Sequence, residues 1–470
     1  MQNAIVWFKK DLRVIDNPAL SAAIKSGFKI IPIYIIDEIS PNAIKAGSAS
    51  KLWLYHSLKS LNKSLNNNLI VFKGSPQEIF NELMNTTQIS QIYWNRCYEK
   101  WQVIRDKELK QNLCDLGIEV FTFNSSLLWE PWETVKSDKT PYKVFTAFYN
   151  NICNNLSAPR KPEDPIEIKS IVTKASYPKH QINIEDISSQ QIWEKNVISP
   201  WEIGETSARE KLQQFLKYKI NNYKQGRDFP SLESTSHLSP HLHFGEISPH
   251  YIWEELFKIK NDANLEHFRR ELIWREFAYQ LLFFFPDLPR KNWQKKFDTF
   301  PWHYNSDKLV LWQTGKTGIP IVDAGMRELW QTGYMHNRVR MIVASFLVKN
   351  LMIDWRTGAE WFWETLFDAD LANNSASWQW VAGCGADAAP YFRIFNPITQ
   401  SEKFDSEGLY IRKYLPEIAQ LPNKYIHSPH LAPSSVLSEA NIVLGRDYPE
   451  PIIDLKSSRK LALNAFKGLD

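Results

Sequence analysis

The sequence has few cysteines and none in a paired spacing: Cys97, Cys114, Cys153 and Cys384 are scattered without a CxxC. That excludes a disulfide framework and a thiolate zinc site, and it fits a reducing compartment. Long apolar runs are also missing. Purely apolar stretches such as Leu281 to Phe285 stop at five residues, far short of the roughly 18 that span a bilayer, and Met1 to Lys10 lacks the apolar segment of a secretory leader. A soluble, cytoplasmic protein with no membrane partner is expected. Charge of one sign is not in large excess, since the net charge is only +4, which permits a basic face for a polyanion without demanding one. Neither GxGxxG nor GxxxxGK[ST] occurs, so no dinucleotide or triphosphate follows from fold alone.

Aromatic residues are plentiful. The chain carries 19 Trp, 18 Tyr and 26 Phe, more ring surface than burial usually calls for, so stacking, cofactor enclosure or electron hopping come into view. Its 470 residues, 43% hydrophobic and 23% charged, have the make-up of a globular protein of two or three folding units.

Residues 1–125 alternate short apolar runs with helical stretches: strands at Ala4–Phe8, Lys29–Ile36, Leu69–Lys73, Gln91–Trp94 and Ile118–Phe123, and helices between them. This alternation predicts a doubly wound α/β domain with a parallel sheet. Residues 126–200 are polar, proline-punctuated and weakly periodic, and read as an interdomain linker. Residues 201–470 read as a helical domain, opened by a capping box at Ser207 and Glu210.

Three stretches of the helical region place polar and aromatic groups on one face. Glu271, Trp274, Arg275 and Ala278 stand at helical spacing, as do Asn337, Arg340, Met341 and Ala344; Asp370, Asn374 and Trp378 are four apart. Each stripe taken alone better suits a hydrogen-bonded core network with Trp as filler. Lys211, Lys217, Lys219, Lys224 and Arg227 would suit phosphate contacts or form a solvated helix face. His237, His241, His243 and His250 invite a metal reading, with His241 and His243 sharing a face if extended, but no carboxylate or thiolate sits at ligand spacing, and no metal is expected.

Longer motifs go further. The opening IVWFKKDLRVIDNPAL, the segment GRDFPSLESTSHLSPHLHFGEISP, the helix ELIWREF, the stretch TGIPIVDAGMRELWQTGYMHNRVRM and the block DADLANNSASWQWVAGCGADAAPYFRIFNPITQSEKFD, in this order, resemble the photolyase and cryptochrome family across nearly the whole chain. Within it, HNRVRM is similar to enzymes that split cyclobutane pyrimidine dimers, where relatives acting on the (6-4) lesion carry histidine in place of Met341.

The resemblance implies reduced FAD in the helical domain. Tyr223, Thr235, Ser236, Leu238 and Ser239 would hold the diphosphate region; Asp368 would pair with Arg340 beside the ring; Asp370 would hydrogen-bond the ring, and Asn374 would face its central nitrogen. It further implies a lesion flipped from UV-damaged DNA, walled by Trp274 and Trp380, touched by Met341 and Asn337, and hydrogen-bonded by Glu271, with Arg227 and Gln400 on the DNA backbone. Light-excited reduced FAD would pass an electron to the dimer and recover it after both linking bonds break. Trp378, Trp355 and Trp302 would form a chain that reduces oxidised flavin, with Trp330, Trp361 and Trp363 offering a parallel route. A second, light-harvesting pigment is implied in the α/β domain near Glu99, with methenyltetrahydrofolate the first choice and a deazaflavin or second flavin the alternatives. The expected function is light-dependent repair of cyclobutane dimers by a deoxyribodipyrimidine photo-lyase acting as a monomer. The alternative is a cryptochrome-type signalling photoreceptor, disfavoured because only 65 residues follow Asp405 and they include no low-complexity tail. A light-independent single-strand binder would explain the rings but not Asp368 and Asp370 with Asn374.

Overall fold

A computed structural model describes residues 3–164, 179–188, 191–388 and 392–469. Contacts divide the chain into two units. The first comprises the chain to Lys195, Trp201–Tyr218 and Ser236–Pro286; the second comprises Asn196–Pro200, Lys219–Thr235 and the chain from Asp287.

The first unit is built on β1 (Asn3–Phe8), β2 (Lys29–Ile36), β3 (Ile70–Lys73), β4 (Ile89–Asn95), β5 (Glu119–Phe123) and β6 (Gln181–Ile182), in the order β5-β4-β1-β2-β3-β6. The first five strands pair in parallel, as their apolar sequences and intervening helices α1 (Pro18–Lys25), α2 (Ser48–Ser64), α3 (Pro76–Thr86) and α4 (Lys100–Asp115) require. The antiparallel edge strand β6 was not foreseen; two residues are too few to leave a period in the sequence. Pro32 is tolerated inside β2 because pairing with β3 starts only at Ile33. Ile5, Trp7, Ile33, Phe72, Phe80, Ile92 and Trp94 fill the core beneath the sheet.

The stretch expected to be a linker carries structure of its own, including the helix Phe145–Asn155. It is tied to the long helix Ala263–Phe284. Glu276 accepts from the backbone N–H groups of Leu128 (2.8 Å) and Trp129 (3.3 Å), Gln280 donates to Thr134, and Phe145 stacks on Trp274 at 3.6 Å. The hydrogen bonds among these ties join backbone to isolated polar side chains more than 130 positions away, so hydrophobic periodicity does not register them.

Glu276 is buried there. Burial pushes its carboxyl up to about 7, against the opposing pull of Arg275 and the two N–H donors. The folded state therefore holds this proton to higher pH than the unfolded chain, whose carboxyl titrates near 4.5. Its contribution to stability is fully present below that lower value and is lost as pH rises towards 7. Glu276→Gln cannot ionise. The variant should gain on the parent by on the order of 3 kcal/mol across that interval, read from thermal unfolding at a series of pH values. Parallel curves would contradict the assignment.

Two local expectations are corrected. The capping box at Ser207 and Glu210 does not form, because the helix Glu205–Gln214 begins earlier, after Gly204. Glu205 is turned to accept from the N–H groups of Val14 and Ile15, and Gly204, at φ 114°, leaves no room for a Cβ beside Ser60. His241 and His243 lie in the helix Ser239–Phe244 and not in a strand. A carboxylate is near after all, since Glu246 accepts from Trp53 and bonds His241, but no metal-ligand cluster exists among the described residues.

The second unit is helical. Its core gathers Trp312, Trp355, Trp378, Phe362, Met335, Val339 and Leu347. Gly358 lets the helices Trp355–Thr365 and Leu371–Ala382 approach closely, for a Cβ there would lie 2.2 Å from the Trp378 ring. No described helix is long and apolar enough to cross a membrane.

Candidate functional site

The second unit brings several of the expected residues together. Asp370 caps the helix Leu371–Ala382, accepting from the Asn373 N–H at 2.9 Å, so Asn374 and Trp378 follow at one-turn steps along it. The peptide bond of Asp370 folds back on Asp368, with its N–H 2.7 Å from the Asp368 carbonyl. Asp368 in turn accepts from Arg340 at 2.8 Å, while the Arg340 Nε donates to the Met335 carbonyl at 2.7 Å. Burial alone would lower the Arg340 pKa, but the Asp368 carboxylate outweighs it and the guanidinium is held charged. Tyr334 lies beneath, its ring 5.2 Å from that guanidinium and its phenol beside Thr235; burial pushes it up to about 12.

Asn374 is oriented by its neighbour. Its amide nitrogen donates to the Ala359 carbonyl at 3.0 Å, which fixes the amide the right way round, since a carbonyl cannot donate. The amide oxygen is left as the acceptor for a ligand. Asn337, exposed, and Met341, half-buried, stand on the helix Asn337–Ser345 with Arg340. Trp380 is half-buried, with its indole N–H on the Asp387 carbonyl at 3.1 Å.

The tryptophans form a graded set. Trp378 is 2% exposed, with Phe362 and Trp312 against its ring at 4.9 and 6.4 Å. Trp355 is fully buried and donates to Asn292, and Trp302 is half-buried against Phe300. Trp361 stacks parallel on Trp330, which is 64% exposed.

Tyr223 is buried at the start of the short helix Tyr223–Gly226, and Arg227 lies over its ring at 5.5 Å. A groove of about 960 Å³ runs nearby in the chain's second unit. Lys224, Arg338, Arg393, Lys403, Arg459 and Lys467 line it together with Gln400 and the rings of Phe229, Phe392, Phe395, Phe404 and Phe466. Asp228 is the one acid among these lining residues, and Arg338 neutralises it at 2.7 Å. Cations interleaved with rings suit a nucleic-acid strand. Apart from Gln400 and Lys224, these residues escaped sequence reasoning. Arg338, Arg393, Lys403, Arg459 and Lys467 are spread over 130 positions and converge only in the fold. Gln379 was missed too: this buried amide ties Leu288, Lys291 and Trp293 to the Trp378 helix.

The remaining expected residues belong to the first unit. Ser236 accepts from the Leu238 N–H at 3.4 Å, Leu238 is buried, and Ser239 is exposed at the helix start. Glu271 and Trp274 are half-buried on the helix Ala263–Phe284, with one face of Trp274 covered by Phe145. Glu99 is buried just past the end of β4, where it binds Lys10 and accepts from the Trp101 indole N–H at 2.9 Å.

Comparison with known proteins places these features in a family. Residues 4–166 match the family described as DNA photolyase, and residues 268–468 match the FAD binding domain of DNA photolyase. The chain is 45% identical to a deoxyribodipyrimidine photo-lyase of Agrobacterium fabrum over 99% of its own length and 98% of that protein's. It is 34% identical to cryptochrome-2 of Arabidopsis thaliana, over 99% of its length and 79% of that protein's. The crystal structure of a class III photolyase from Agrobacterium tumefaciens superposes with a TM-score of 0.94 at 44% identity, covering 100% of this chain and 98% of the other. The chain belongs to the DNA photolyase family, to which the cryptochromes are also related.

Proposed function

We propose that this chain is a flavin-dependent photolyase that repairs cyclobutane pyrimidine dimers in UV-damaged DNA under blue light. The full-length 45% match to a deoxyribodipyrimidine photo-lyase carries the reading, against a lower identity to the cryptochrome. The donor set of the second unit fits FAD. Asn374 presents an uncharged acceptor, Arg340 a charged donor already balanced by Asp368, and Tyr223 and Thr235 supply groups suited to the diphosphate region. Ser236, Leu238 and Ser239 carry the same diphosphate assignment.

When bound, reduced FAD supplies one electron on illumination and takes it back, so the repair needs no net oxidant. The side chains do the rest. Asn374 would accept a hydrogen bond from a proton-bearing ring nitrogen without adding a negative charge beside an electron-rich ring. The basic groove, with Gln400 in it and Arg227 beside Tyr223, holds phosphates and offsets the few kcal/mol that unstacking a damaged pair costs. Asn337, Met341 and Trp380 are assigned to the everted dimer, as are Glu271 and Trp274, with Glu271 in its protonated form donating to a pyrimidine carbonyl that gains negative charge. Trp378, Trp355 and Trp302 are assigned to electron entry. Methenyltetrahydrofolate is the pigment proposed for the parallel-sheet unit near Glu99; the absorption of pigment released by mild acid separates it from a deazaflavin or a second flavin. A monomer in the cytoplasm completes the proposal.

Binding in the dark tests the substrate. Dimer-containing duplex should bind more tightly than the same duplex undamaged. Arg393→Ala with Lys403→Ala should weaken both by at least about tenfold and lower the slope of log affinity against log salt by about 2. Equal affinity for damaged and undamaged DNA would overturn the substrate assignment.

A further inference from the structure

A second cavity of the helical unit, about 570 Å³, has no lining residue with a flavin or lesion assignment. It shares Ile394, Phe395, Asn396 and Arg459 with the basic groove. Its lining includes the apolar side chains of Phe395, Pro397, Ile398 and Pro451, and its size is that of a small-molecule site.

Two polar atoms of this wall are buried without a partner among the described residues, the amide oxygen of Asn350 and Nδ1 of His430. Asn350 is only 3% exposed, and its amide nitrogen donates to Ser458 Oγ at 3.0 Å. Turning the amide over would satisfy the oxygen only by stranding the nitrogen, so one half of it always awaits a partner. Burial lowers the His430 pKa, which keeps the ring neutral and able to bond a neutral ring edge.

Charge at the rim has the opposite character. Lys456 and Arg459 lie in the opening turns of the helix Leu455–Lys467, both exposed and neither in an ion pair among the described residues. Asp454, the acid of the rim, is committed to capping that helix through the Ser457 N–H at 2.7 Å. A phosphate there would meet these two cations, while the positive end of the helix is already balanced by the Asp454 carboxylate.

We propose that this cavity binds a nucleotide, with its planar base between the apolar walls and its N–H edge on Asn350, and its phosphate on Lys456 and Arg459. The nucleotide comes either free or as one unit of a strand that continues into the basic groove.

Calorimetric titration of the flavin-loaded protein with AMP, adenosine and inorganic phosphate tests this. AMP should bind, with adenosine and phosphate each at least about tenfold weaker. Lys456→Ala should weaken AMP about fivefold and leave adenosine unchanged. His430→Ala should weaken AMP and adenosine alike, and Asn350→Leu should do the same if it folds. An undamaged five-residue oligoadenylate separates the sources: binding that Lys456→Ala weakens about fivefold identifies a strand, and AMP binding without oligoadenylate binding identifies a free nucleotide. Absence of AMP binding at millimolar concentration, or AMP binding indifferent to both Lys456→Ala and His430→Ala, would overturn the proposal.

Discussion

Trp378→Phe should slow light-driven reduction of the oxidised flavin by at least about a hundredfold, equivalent to about 2.7 kcal/mol in the rate-limiting barrier. Repair by protein reduced chemically beforehand should continue at nearly the parental rate. The substitution is mild for packing. Phenylalanine keeps a ring against Phe362 and Trp312, and the atoms lost are those nearest Gly358, where two helices are already in close contact. A core change of this size costs about 1–3 kcal/mol, too little to unfold a large helical unit. What disappears is an indole that can give up an electron deep in the core. Trp361→Phe provides the comparison, because Trp361 leads to the exposed Trp330 by a separate stack. Photoreduction retained in Trp378→Phe and lost in Trp361→Phe would transfer the role to that pair.

Asn374→Asp should lower the reduction potential of the bound flavin by at least about 60 mV, a tenfold change in a one-electron equilibrium. The geometry opposes a carboxylate twice. One oxygen would face the Ala359 carbonyl, where the amide nitrogen now donates at 3.0 Å, and the other would set a negative charge beside a ring that becomes electron-rich on reduction. Protonation of the new carboxyl would relieve both, so the shift should shrink as pH falls through the carboxylate range. Spectra and potential unchanged at every pH would remove Asn374 from the flavin's surroundings.

Much of this was legible in the sequence. The strand Lys29–Ile36 and the helices around it were readable because a buried parallel strand is an unbroken apolar run and each crossover helix carries its own period. The step from Asp370 to Asn374 to Trp378 was readable for the same reason, a helix placing every fourth residue in line. Other features depend on positions far apart in the chain. Glu276 acts on Leu128 and Trp129 across 148 and 147 residues, His241 finds Glu246 only once the helix turns, and the basic groove is assembled from cations no window contains together. Burial also revised meanings: Glu99 proved to be engaged by Lys10 and Trp101, and Trp274 to be stacked on Phe145.

The most direct measurement is the loss of cyclobutane dimers from an oligonucleotide mixed with a substoichiometric amount of the flavin-reduced chain, compared between blue light and darkness. Disappearance of many dimers per protein molecule under illumination, with none lost in the dark, is the predicted result. Dimers that survive illumination, or that vanish equally without it, would contradict a light-driven repair enzyme.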